Sequence, residues 1–113
     1  MAGNSHDYAN DVAKYTANVD RAAVDGIARY CGIALQKRDS SFVAASDPGE
    51  RKTVRENFLK KKLGLTEDDS SLDASIKEVA EKMKASHDKH RVTVYYLLAE
   101  KYGKLGSFHK AEK

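Results

Sequence analysis

Arg91-Val-Thr-Val-Tyr-Tyr-Leu-Leu-Ala-Glu-Lys-Tyr102 is the longest dense apolar run in the chain, and its reading decides the fold. As a helix it puts Val94, Leu97, Leu98 and Lys101 on one side. Val92, Tyr95, Tyr96, Ala99 and Tyr102 cover much of the remainder. A helix apolar over most of its circumference belongs at the centre of a domain. As a strand, the run would use the β-branched and aromatic residues of Val92 to Tyr96. A lone strand leaves its backbone groups unpaired, and no second convincing strand pattern occurs elsewhere. The run is therefore expected to be helical and wrapped by other helices. The fold class that follows is all-α: a compact single-domain bundle of about five to six helices around a central C-terminal helix.

Working back from this run, Leu72, Ile76, Val79, Ala80 and Met83 form the cleanest amphipathic pattern in the chain. Thr66 or Ser70-Ser71 is expected to cap that helix, with Glu67, Asp68 and Asp69 near its positive end. Before it, Asp47, Pro48 and Glu50 spell a capping box with proline at the first helical position. That helix runs to about Leu63, with Val54, Phe58 and Leu59 inward, and Gly64 stops it. Residues 33–45 read as two short helical pieces, with Leu35, Phe42 and Val43 inward. Asp20 is a good N-cap for a helix ending at Cys31, whose buried stripe is Val24, Ile27, Ala28 and Cys31. Gly26 weakens that helix unless close packing uses the missing side chain. Tyr8, Val12 and Tyr15 mark a first short helix. Beyond Tyr102, Gly103 ends the central helix, and Leu105 and Phe108 can dock from a short arm. The domain is expected over residues 7–108, with loose ends at 1–6 and 109–113.

At 113 residues, one domain can bury roughly two thirds of the surface its unfolded chain exposes. Hydrophobic residues make up 41% and charged residues 33%, which is too apolar for a disordered chain. Cys31 is the single cysteine, so no disulfide forms within the chain. Residues 1–7 lack the basic start and apolar core of a signal peptide. No apolar run reaches the ~20 residues of a membrane span. A cytoplasmic home is expected. The net charge of +3 is uneven: residues 47–65 are basic, 66–81 acidic and 82–113 basic again.

Asn57-Phe58-Leu59-Lys60-Lys61-Lys62-Leu63-Gly64-Leu65, Arg91 to Glu100 and Gly103-Lys104-Leu105 resemble a family of small bacterial proteins of unknown function. Gly32-Ile33-Ala34-Leu35 and Ser46-Asp47 fit the same resemblance. It covers about Tyr8 to Phe108 and implies a single all-helical domain. It implies no activity, cofactor or site residue.

No catalytic signature is present: no G-x-S-x-G, no Walker loop, no dinucleotide glycine pattern. No cofactor is expected, and an enzyme is the third choice. Cys31 on an apolar stripe reads as a small core residue rather than a nucleophile. His87, Asp88 and His90 form an incomplete ligand set, so a hydrated connection is the simpler reading. A helix-turn-helix over Ile27 to Val43 fails because Arg38 and Ser41 fall where apolar residues are needed. Two functions remain. The first is a non-enzymatic module binding a protein partner or a second copy of itself, through an apolar patch near Tyr95, Tyr102 and Phe108. The acidic 66–81 and basic 47–65 helices could pair between copies. The second is weak nucleic-acid binding through Arg51, Arg55, Lys62, Lys89 and Arg91, with Lys101, Lys104 and Lys110 on the arm. Arg51, Arg55 and Lys62 share a face of an α-helix. Interleaved acidic residues would cancel that field.

Overall fold

The computed structural model describes residues 8–17, 19–31, 43, 47–84 and 90–109. The helices are α1 (Tyr8–Val12), α2 (Arg21–Cys31), α3 (Pro48–Thr53), a π-helix (Val54–Lys62) that continues α3, α4 (Asp69–Lys82), α5 (Arg91–Lys101) and α6 (Gly106–His109). No strand occurs among the described residues. The radius of gyration, 12.9 Å, matches the roughly 13 Å of a single globule this size.

The run that decides the fold is the helix α5, and it lies at the centre. Every residue from Arg91 to Ala99 is buried. α1, α2 and α4 pack against it, and α6 packs on α2. The β-branched and aromatic residues do not override the helix because each face finds an apolar neighbour, while the backbone bonds stay within the element. Gly103, at φ +69°, ends the run in the left-handed region that glycine adopts without strain.

The local signals around it are mostly met. Asp20 accepts from Ala23 N–H at 3.1 Å and caps α2. Asp47 accepts from Gly49 N–H at 3.0 Å, with Pro48 opening α3. Leu72, Ile76, Val79 and Met83 are buried. The cap of α4 differs from expectation: Asp68, not Thr66 or Ser70-Ser71, accepts from Ser71 N–H at 3.1 Å. Ser71, through its hydroxyl and then its N–H, holds the Asp68 carboxyl below its ordinary value. Glu50 is taken from its place in the capping box by a stronger partner, the Arg91 guanidinium. Val43 is buried. The other expectations within 32–46, including Gly32, Leu35, Phe42 and the helix-turn-helix, lie outside the described residues, as do the ends, 1–7 and 110–113.

The largest departure is the π-helix. In an α-helix, Val54 and Leu63 would point about 180° apart. With the wider i→i+5 turn, Val54, Phe58, Leu59 and Leu63 come to one face, and all four are buried. Intervals of four and five residues between apolar positions suit that turn. The segment closes with Leu63 N–H to Phe58 C=O at 2.9 Å and Leu65 N–H to Leu59 C=O at 3.0 Å, over Gly64 at φ +71°. The same wide turn redistributes the charged residues, with consequences for the site.

Candidate functional site

Four aromatic rings meet where α2, the π-helix, α5 and α6 converge. Phe58 stacks on Tyr95 with centroids 3.9 Å apart and planes inclined by 17°. Phe108 lies 6.0 Å from Phe58. Tyr30, on the last turn of α2, lies 5.8 Å from Phe58, 6.3 Å from Tyr95 and 6.4 Å from Phe108. The inner three are buried. Tyr30 is 42% exposed, the one large hydrophobic so exposed among the described residues. Its hydroxyl donates to the Asn57 carbonyl at 3.3 Å. The Lys62 ammonium stands 5.4 Å from the Tyr30 centroid and 5.2 Å from that of Phe108, within cation–π range.

α6 reaches this cluster because α2 carries Gly26 at the crossing. A Cβ there would lie 2.8 Å from Phe108 Cβ and nearer still to the Phe108 carbonyl oxygen. The missing side chain is therefore used for close packing.

Behind the rings lies a polar knot. Arg91 donates to the Tyr95 hydroxyl and to Glu50 Oε2, both at 3.0 Å. The two charged side chains are only 10% and 24% exposed, so each depends on the other. Burial pushes the Tyr95 phenol up to about 12, against the pull of Arg91. Burial likewise pushes the Cys31 thiol up to about 12. A thiol held protonated and 7% exposed is a core residue and a poor nucleophile.

On its other side the π-helix faces α4 through ion pairs. Arg55 contacts Glu56 at 2.9 Å, Asp73 at 2.9 Å and Asp69 at 3.7 Å. Lys60 contacts Asp69 at 2.7 Å and Glu56 at 3.1 Å. Arg55 holds the Glu56 carboxyl below its ordinary value, and Lys60 does the same for Asp69. The basic and acidic segments that could have paired between copies thus pair within one chain.

A cleft of about 210 Å³ lies between α4 and α5, lined by Glu78, Val79, Lys82, Leu97, Glu100 and Lys101. Lys101 pairs with Glu78 at 2.7 Å, and Glu100 accepts from Thr16 Oγ1 at 2.8 Å. Three of its polar groups are thereby engaged, so they do not converge freely on a substrate.

These contacts reassign the residues expected at a site. Tyr95 and Phe108 are interior, and Tyr102 is half-buried with its hydroxyl against Ser75 Oγ. Of the apolar patch expected on these three, Tyr95 and Phe108 back Tyr30, and Tyr102 turns to α4. The hydroxyls of Tyr95, Tyr96 and Tyr102 meet Arg91, the Asp20 N–H and Ser75 respectively. Of the expected nucleic-acid surface, Arg55 and Arg91 are held by carboxylates and Arg51 is half-buried. Lys62 faces α2, away from Arg55, because the π-turn separates them. Lys89 and Lys110 lie outside the described residues, as do His87 and Asp88. His90 packs edge-on to Tyr8 at 5.7 Å.

The profile of the family DUF2853, described as proteins of unknown function, matches residues 7–106. The chain belongs to the DUF2853 family. A search of curated proteins returns no match. The DUF2853 match takes in the π-helix, the ion pairs to α4, the whole of α5 and Tyr30; of the ring cluster only Phe108 lies beyond it. Among the described residues no three His, Cys, Asp or Glu side chains are grouped to hold a metal. No helix among them is long and apolar enough to cross a membrane. Tyr30 is the residue that sequence reasoning passed over. Its signal was present: an aromatic on α2 standing off the Val24, Ile27, Ala28, Cys31 stripe.

Proposed function

We propose that this protein is a non-enzymatic protein-interaction module whose contact face is built on Tyr30. The observation that carries this reading is the exposed Tyr30 ring, backed by three buried rings and bonded at its hydroxyl. A tyrosine already fixed in this way adds contact area at little further entropy cost. The engaged polar groups of the α4–α5 cleft favour binding over catalysis. Ion pairs take Arg55 and Arg91, two of the cations of the expected nucleic-acid surface, away from a phosphate backbone. The same reading places the protein in the cytoplasm, where a lone thiol stays reduced.

Replacing Tyr30 by the photo-crosslinker p-benzoylphenylalanine in the native host tests the proposal. A discrete partner adduct is expected from position 30 and none from Lys77, an exposed position on α4. Equal adducts from both positions, or none from either, would overturn it.

A further inference from the structure

The residual charge around Tyr30 says what kind of partner fits. Several cations are answered within the chain: Arg55 and Lys60 by Glu56 and α4, Arg91 by Glu50, Lys101 by Glu78. Lys62 is different. It is exposed, stands over the Tyr30 and Phe108 rings, and meets no carboxylate among the described residues. The rings hold the ammonium in place without neutralising it. The face thus offers an apolar plate beside unanswered positive charge.

Resting on the Tyr30 reading, we infer that the partner is an acidic segment of another protein that sets an apolar side chain on Tyr30 and a carboxylate against Lys62. Charge complementarity selects the acid. One ammonium over the rings matches a peptide carboxylate better than a polyphosphate track, since nucleic-acid affinity grows with each phosphate neutralised. A second copy is a weaker fit, because Asp69, Asp73 and Glu78 already hold cations of their own chain.

Backbone amide shifts of the full chain, followed by NMR during peptide titration, test this. The probes are a pool of short peptides mixing Glu and Asp with Leu, Phe and Pro, and a matched pool with Gln and Asn in place of the acids. The acidic pool should move the amides of Tyr30, Lys62 and Phe108. The amide pool should bind at least about tenfold more weakly. Lys62→Gln, at an exposed side chain, should erase that difference while leaving the rest of the amide spectrum in place. Equal binding of both pools at Tyr30 would overturn the acidic partner yet leave the interaction reading standing. Shifts away from Tyr30, or no shift with either pool, would also overturn it. So would tighter binding of an oligothymidylate, in favour of nucleic acid. Shifts at Tyr30 that depend on protein concentration alone would overturn it in favour of self-association.

Discussion

Phe58 and Arg55 stand three residues apart on one π-helix and are held by unlike forces. Phe58 is fully buried and stacked on Tyr95, where neither salt nor pH reaches it. Arg55 is held by Glu56, Asp69 and Asp73, whose side chains are 38%, 59% and 30% exposed. Water and ions screen such pairs, so they contribute little to net stability. The difference shows a division of labour. The aromatic side decides whether the chain folds. The ionic side sets how α4 lies against the π-helix and removes charge that would otherwise be available to a partner.

The contrast can be broken most directly at its apolar end. Phe58→Ala should cost about 3–5 kcal/mol in urea unfolding, the range for emptying a core aromatic site. A loss below about 1 kcal/mol would mean that the rings do not carry the fold. Next is the polar knot. Glu50→Ala leaves the Arg91 guanidinium, 10% exposed, without its carboxylate. The expected loss is about 2–3 kcal/mol, below the fully buried range because Glu50 is itself partly wet. Gly26→Ala sharpens the picture at the α2–α6 crossing. Its new Cβ meets the Phe108 backbone and side chain, so about 1–3 kcal/mol should be lost, with faster hydrogen exchange at Phe108.

The smallest effect belongs to the ionic side, and pH reveals its sign. The Glu56 and Asp69 carboxyls titrate lower when folded than when unfolded, through Arg55 and Lys60 respectively. The stability they add is complete above their ordinary values, about pH 4, and is lost as pH falls through the lowered ones. Urea midpoints should therefore drop on acidification below that point. Lys60→Met should flatten part of the drop, and molar salt should do the same. Phe58→Ala should leave the slope unchanged. An acid slope indifferent to Lys60→Met would mean that these pairs are not formed in solution.

How legible these features were depended on how local they are. Asp20, Asp47 and Pro48, Gly64 and Gly103 acted as their types dictate, because a cap or a left-handed stop involves only neighbouring residues. Leu72, Ile76 and Val79 were readable for the same reason: periodicity is a property of one segment. The π-helix was written in the intervals between Val54, Phe58, Leu59 and Leu63, but a pattern read with an α-helical period hides it. Because of that period, Arg55 and Lys62 were assigned to one face and lie on two. Tyr95 and Phe108 were recognised as apolar anchors, yet only the burial of α5 and the crossing of α6 at Gly26 showed that both are interior and that Tyr30 is the ring left outside.

The sequence by itself settled that the chain is all-helical, that Arg91 to Tyr102 is its centre, and where most helices begin and end. These follow from side-chain periodicity and from backbone groups satisfied within a few residues. Only the tertiary structure decided which charges meet. Glu50 is 41 residues from Arg91, and Arg55 is 18 from Asp73. Electrostatic pairing acts through space, and no spacing along the chain encodes which of many nearby opposite charges will be answered. For that reason the ammonium of Lys62 over the Tyr30 ring, and the face the two share, became visible only when the helices were packed.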